Sequence, residues 1–226
     1  MEYLLEDSIA RINLDDGKAN VVSPEFIQFV NDSLDRAQAD SAGAVLITGR
    51  EGIFSAGFDL KEFEKGMEQG IAMVSGGMAL AQRLYGYPLP VVAACTGHAI
   101  AMGAFLLLAC DTRIGARGDF RFTLPETRIS MAIPRVVQPL CQQRLSPRYL
   151  TRAVVQSEIF GPDKAVKAGF LDEVEEPEKL AATALDAAQV LAQLPQEFYA
   201  ANKMFMRDKT LQAMQIEFDK ALAAAG

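Results

Sequence analysis

Apolar positions along the chain follow two rhythms. Short, nearly unbroken apolar runs, AVLITG (44–49) and VVAAC (91–95), each end at a turn signal and have the form of strands buried on both faces. Longer stretches repeat at helical spacing. Phe26, Phe29, Val30 and Leu34 follow Ser23-Pro24-Glu25, which reads as a cap with proline at the first helical position. Tyr3 to Leu14 alternates loosely and runs into DDGKAN, which predicts an edge strand or hairpin closed by a turn. After FSAGFDL the pattern predicts one helix to about Tyr85, stopped by Pro88-Leu89-Pro90. AMGAFLLLACD then predicts a buried helix starting near Met102, and TRIGAR and DFRFT predict two further short strands. From Ile133 onward the pattern is helical, with turn marks at Ser146-Pro147, Gly161-Pro162, Gly169, Pro177 and Pro195. Strands alternating with helices define an α/β protein, and the start is βαβ-like. The tail, 178–226, carries Phe198, Met204, Phe205, Leu211, Met214 and Phe218 at helical spacings. That is more apolar surface than a helical hairpin hides on itself, so docking on the core or on another subunit is expected.

Composition narrows the class. A chain of 226 residues, half of them hydrophobic, can bury one large core, and its net charge of −7 argues against nucleic acid, which needs a basic face. Cys95, Cys110 and Cys141 are odd in number, widely spaced and set in apolar sequence, so they read as reduced core residues rather than as a disulfide framework or metal site. MEYLLEDSIARI has no basic segment followed by an apolar one, which leaves the cytoplasm as the expected location. Val91 to Cys110 carries no Asp, Glu, Lys or Arg and is about as long as a membrane span, but Thr96-Gly97-His98 interrupts it and no second such stretch occurs. It reads as a buried strand turning into a buried helix, not as a membrane segment.

Two glycine-containing turns follow the buried strands, FSAGFDL and GHAIAMGAF. Both present backbone N–H groups, from Phe58 and from Met102 at a helix N-terminus, where the first N–H groups have no intrahelical acceptor. Two converging N–H groups make an oxyanion hole; alone, either glycine turn reads first as close packing of helix on sheet. RFTLPETRISMAIP holds one carboxylate, Glu126, in an apolar neighbourhood, suited to a proton-transfer base or to a helix-start acid behind Pro125. His98, the sole histidine, sits in the strand-to-helix turn and reads as structural or pocket-lining. The Met-rich segment 67–78 reads as adaptable core or pocket lining.

LITGREGIFSAGFDLKEF, PLPVVAACTGHAIAMGAFLLLACDTRIGA, FTLPETRISMAIP and GPDKAVKAGFLDEV, together with DGKANVVS near the start, resemble the crotonase, or enoyl-CoA hydratase/isomerase, superfamily in order and spacing. The resemblance implies a crotonase-like spiral of repeated ββα units with a helical C-terminal region. Residues 1–170 would form the spiral core with the acyl-CoA site, and 171–226 a helical region packed on the core or on a neighbouring subunit, in a homotrimer or a dimer of trimers. It implies an acyl-CoA thioester substrate, with coenzyme A part of the substrate and no separate cofactor or metal. Phe58 and Met102 would supply the enolate-binding N–H groups. Ala56 would contact the adenine through its backbone, Lys18 and Lys203 fall near the CoA phosphates, and Gly57, Asp59, Gly103 and Phe105 surround the substrate, Asp59 also capping the segment that follows.

One departure carries the functional expectation. Hydratases of the superfamily place a first glutamate where this chain has Phe105, and the second is matched by Glu126. A hydratase shares water activation and proton delivery between two carboxylates, whereas one carboxylate beside an aromatic wall suits an isomerase moving a proton from C2 to C4 of a 3-enoyl-CoA. Burial beside Phe105 and Ile129 would raise the pKa of Glu126. The alternatives are a hydratase, another reaction through the same enolate such as decarboxylation or thioester hydrolysis, and a silent acyl-CoA-binding subunit.

Overall fold

The computed structural model describes residues 1–225. Strands β1 (Glu2–Glu6) and β2 (Ile9–Asn13) form a hairpin whose two turn residues, Asp7 and Ser8, both take positive φ, 49° and 64°. That pair of conformations matches the right-handed twist of the flanking strands. Helix α1 (Pro24–Ala39) starts where the Ser23 hydroxyl accepts from the Phe26 N–H at 3.2 Å. There follow β3 (Ala44–Thr48), β4 (Gly52–Ser55), α2 (Leu60–Glu64), α3 (Met67–Tyr85), β5 (Val91–Cys95), β6 (Gly97–Ile100), α4 (Met102–Ala109), β7 (Thr112–Ala116) and β8 (Phe122–Thr123). After 3₁₀ turns at Glu126–Ile129 and Arg135–Val137 come α5 (Gln138–Arg144), α6 (Pro147–Val154), α7 (Pro162–Ala168), β9 (Glu173–Glu175), α8 (Pro177–Ala192) and α9 (Gln196–Ala225).

Each turn of the spiral sends its first strand to one sheet and its second to another. The larger sheet has the order β1-β2-β3-β5-β7-β9, parallel throughout except for β1. The smaller sheet, β4-β6-β8, is wholly parallel. Side chains of the large sheet alternate between two cores. Ile12, Val45, Ile47, Val91 and Ala93 join the main core, while Ile9, Leu46, Val92, Ala94 and Ile114 meet Leu180, Ala184 and Ala188 of α8 on the opposite face. Burial on both faces is why the strands read as continuous apolar runs rather than as alternation.

Four elements depart from the sequence reading. β4 and β6, read as loop and turn, are strands of four residues, too short to show a period and each opened by glycine. β9 brings part of the region after residue 170 into the large sheet beside β7. The helix expected from FSAGFDL to Tyr85 is broken at Gly66, whose φ of 143° no side-chain-bearing residue readily adopts, giving α2 and α3. Among the described residues no helix is long and apolar enough to cross a membrane, and Val91 to Cys110 resolves into β5, β6 and α4.

Candidate active site

The small sheet gathers the candidate residues. β4, β6 and β8 run in parallel, so their C-terminal ends lie on one side of the sheet. β4 leads through Ala56-Gly57 to Phe58, β6 through Ala101 to Met102, and β8 through Leu124-Pro125 to Glu126. The first two turns touch. Gly57 has φ +96°, and a Cβ placed on it would lie 3.0 Å from the Ala101 Cβ and 3.5 Å from the Met102 nitrogen.

The backbone around Phe58 is held by Val22, whose N–H donates to the Gly57 carbonyl at 2.8 Å and whose carbonyl accepts from the Asp59 N–H at 3.4 Å. This pairing uses the neighbours of the Phe58 N–H and leaves that group without a protein acceptor among the described residues. The Met102 N–H opens α4 and has no acceptor either. The side chains of both donors reach the same place on α3. A Cβ on Gly77 would stand 2.6 Å from Phe58 Cε1 and 3.6 Å from Met102 Cε, so the absent side chain at 77 is what lets α3 lie over both turns.

Glu126 opens a 3₁₀ turn and is 6% exposed, with Oε2 buried and without a hydrogen-bond partner. Burial raises its carboxyl pKa above the usual value, because the charged form loses more hydration than a hydrogen bond to its own backbone N–H restores. The Cys141 thiol on α5 is pushed up by its own burial and, further, by the charge of Glu126, which places α5 beside the carboxylate. Phe105 is 1% exposed in the core cluster that also holds Cys141. Ile129, expected to help bury Glu126, is itself 56% exposed. The turn is fixed from outside, by the Arg128 N–H donating to Ser157 Oγ at 3.3 Å and the Arg128 guanidinium donating to the Ser157 carbonyl at 2.9 Å. Chemically, a buried base and two free N–H donors at adjoining strand ends can remove a proton next to a carbonyl and hold the resulting oxyanion.

The remaining expected residues fall into three groups. Lys18 is exposed in the loop that Asn20 pins by donating to the carbonyls of Leu14 and Phe54, at 2.8 and 3.2 Å, and the loop reaches Ala56 through the Ala56 N–H to Ala19 carbonyl bond at 3.1 Å. Arg50, which donates to the Lys18 carbonyl and lies 3.4 Å from Asp15, belongs to the same corner. Neither Asn20 nor Arg50 was marked by the sequence, although the TGR following β3 offered a basic residue at a strand end. Asp59 is the cap of α2, accepting from the Lys61 N–H at 3.0 Å, and Gly103 lets α4 approach β4, since a Cβ there would meet the Ser55 carbonyl oxygen at 2.4 Å. His98 accepts the Arg121 N–H at 3.0 Å through Nδ1 and packs edge-on to Phe120, a structural position.

Lys203 lies apart from the Lys18 corner, in a buried pair with Asp111. It is 8% exposed, its ammonium donates to Asp111 Oδ2 at 2.6 Å and to the Leu89 carbonyl at 3.2 Å, and Asp111 immediately precedes β7, at the opposite strand ends from Glu126. A lysine so placed forms a buried ion pair. Four surface cavities of 310–650 Å³ lie against α9, and none of these four is lined by Phe58, Met102 or Glu126. Among the described residues no three His, Cys, Asp or Glu side chains converge as a metal-ligand group.

The ββα spiral and the turns at the ends of its smaller sheet define a crotonase-fold enzyme. The sequence matches the family described as Enoyl-CoA hydratase/isomerase over residues 5–224. It is 30% identical to a probable enoyl-CoA hydratase of Bacillus subtilis, over 96% of this chain and 88% of that one. With the mitochondrial enoyl-CoA delta isomerase 1 of Homo sapiens it shares 29% identity over 88% of this chain and 68% of that one. An enoyl-CoA isomerase structure from Mycobacterium tuberculosis superposes with a TM-score of 0.93 at 40% identity, covering 98% of this chain and 97% of that one. The chain belongs to the enoyl-CoA hydratase/isomerase family.

Proposed function

We propose that the protein isomerises 3-enoyl-CoA thioesters to the conjugated 2-enoyl-CoA. The ionised Glu126 removes a proton from C2, and the electrons of that C–H bond delocalise to give a dienolate whose negative charge rests on the thioester oxygen. The Phe58 and Met102 N–H groups donate to that oxygen; one such donor is typically worth about 10²–10³ in rate. Glu126 then returns the proton to C4, so that the double bond moves from C3–C4 to C2–C3 with no net gain or loss of atoms. No cofactor enters. The observation carrying this reading is the buried Glu126 Oε2, an oxygen without a hydrogen-bond partner on a carboxyl group whose pKa burial raises. Glu62, the other buried glutamate among the described residues, is paired with Lys65 just past the end of α2.

A hydratase is the second reading, favoured by the name of the Bacillus subtilis relative. Phe105 counts against it, since a phenyl ring neither holds nor protonates water. The test is ultraviolet absorbance of the conjugated enoyl thioester after mixing the protein with 3-hexenoyl-CoA and, separately, with crotonyl-CoA. A rise with the first and no fall with the second supports isomerisation, and Glu126→Gln abolishes the rise while CoA-ester binding remains. A fall with crotonyl-CoA refutes the one-carboxylate argument. A Glu126→Gln protein that still isomerises removes Glu126 from the mechanism.

On the same reading the CoA moiety lies along the Lys18–Ala56 corner. Lys18→Glu then raises KM for the CoA ester and leaves kcat unchanged. Self-association, as a trimer or a pair of trimers, is supported by large apolar side chains left exposed on α9, Phe205 at 85% and Met206 at 67%. Sedimentation velocity decides it.

A further inference from the structure

Ala101 has φ 51° and ψ −122°, a conformation that glycine adopts freely and an L residue with a Cβ adopts only under constraint. The constraint is visible on both sides. Its N–H donates to the Thr123 carbonyl at 3.0 Å, and its carbonyl accepts from the Ala104 and Phe105 N–H groups at 2.9 and 3.1 Å. The residue is thus clamped between the end of β8 and the first turn of α4. Its methyl group faces the other donor turn, for the position a Cβ on Gly57 would occupy is 3.0 Å from it. A methyl group on one turn therefore faces the space that a side chain on the next would need, and each turn delivers its N–H one residue later, Met102 after Ala101 and Phe58 after Gly57.

We propose that Ala101 is a positioning residue whose methyl, wedged against Gly57, sets the separation of the Phe58 and Met102 N–H groups. This rests on the enolate-binding role given to those two groups. Strain retained at a site's edge, where glycine would remove it, points to a function for the strained conformation. The wedge prevents the 101–102 peptide from rotating, which is the motion that would carry the Met102 N–H away from the oxyanion.

The experiment compares wild type with Ala101→Gly and Ala101→Ser. Acetoacetyl-CoA serves as a probe, because its bound enolate has its own ultraviolet band, and kcat and KM are measured with 3-hexenoyl-CoA. The glycine variant is expected to melt no lower than wild type, since its backbone is relaxed. Its kcat is expected to fall about tenfold, part of the loss seen when a whole donor is removed, with KM within about twofold. The enolate fraction of bound acetoacetyl-CoA should fall with kcat, and the serine variant, which keeps a Cβ, should restore both. A glycine variant with kcat and enolate band within about twofold of wild type overturns the proposal, as does a serine variant as slow as the glycine one. If wild type itself shows no enolate band, the enolate-binding role of the two N–H groups falls, a different failure from equal bands in wild type and the glycine variant.

Discussion

The two halves of the Lys203–Asp111 pair should behave very differently when removed. Lys203 comes from α9 and is 8% exposed; Asp111 holds its ammonium at 2.6 Å, accepts the Val91 N–H at 2.8 Å and lies 2.7 Å from the Arg207 guanidinium. The Arg207 contact is an ion pair without hydrogen-bond alignment, and Arg144 donates to the Asp111 carbonyl at 3.1 Å. Burial pushes the Lys203 pKa down to about 8 against the pull of Asp111, so the lost hydration outweighs the attraction. Lys203→Met removes a costly buried charge and leaves Asp111 with Arg207 and the Val91 N–H, so stability should stay within about 1 kcal/mol of wild type. Asp111→Asn instead leaves Lys203, Arg207 and Arg144 facing one another without an anion, a loss of about 3–5 kcal/mol. At about 2–4 °C per kcal/mol for a chain of this size, that is a Tm lower by roughly 6–20 °C. The sign of the pH dependence follows. Between about 8 and the ordinary 10.5 the unfolded chain binds more protons at this lysine, so wild-type stability gains with rising pH there and the Met variant lacks the gain. Thermal melting from pH 7 to 10, with KM for 3-hexenoyl-CoA, makes the measurement. Equal losses in the two variants would refute the reasoning, and a Met variant with unchanged Tm and a tenfold higher KM would return Lys203 to the CoA site.

The remaining expectations concern the site and its frame. Glu126 has a raised folded-state pKa, so between 4.5 and that pKa the folded protein binds more protons than the unfolded chain and stability falls as pH rises. Glu126→Gln should therefore melt higher than wild type at pH 7, lose that advantage below pH 4.5 and lack isomerase activity; a lower Tm at pH 7 would contradict it. Wild-type kcat/KM should climb with pH through the same raised pKa, because the base acts ionised. Gly97→Ala places a Cβ 2.0 Å from the Gly52 carbonyl carbon, backbone against backbone, and should cost about 4 kcal/mol or more, read as loss of folded protein by circular dichroism. Gly77→Ala strikes the far edge of the Phe58 ring, which can shift, so about 1–3 kcal/mol of destabilisation should accompany a kcat loss larger than the KM change.

Much of the frame was legible because its determinants are local. Ser23-Pro24 states where α1 begins, Pro88 to Pro90 ends α3, and unbroken apolar runs announce β3 and β5. β4, β6 and β9 were not legible for a physical reason. Segments of three or four residues hold no period, and they are strands only because neighbours pair with them, as β7 does with β9. The break at Gly66 was hidden in a segment rich in glycine, where only the backbone reveals which glycine turns.

For the site the division runs between backbone and side chain. Phe58 and Met102 contribute N–H groups, so what the sequence must encode is a turn of fixed shape after a strand, and glycine at 57 with a helix start at 102 encodes it. Glu126 is legible as an isolated carboxylate in apolar surroundings, and the structure leaves its Oε2 without a partner. The exposure of Ile129 and the burial of Lys203 were not legible because exposure is set by elements far away in the chain. An isoleucine three residues from a buried glutamate points outward at 56% exposure, while a lysine on a tail helix turns inward to an aspartate 92 residues earlier. A site made chiefly of backbone donors thus survives reading from one sequence better than one made of long side chains, since a lysine reports neither its partner nor its burial until the packing is known.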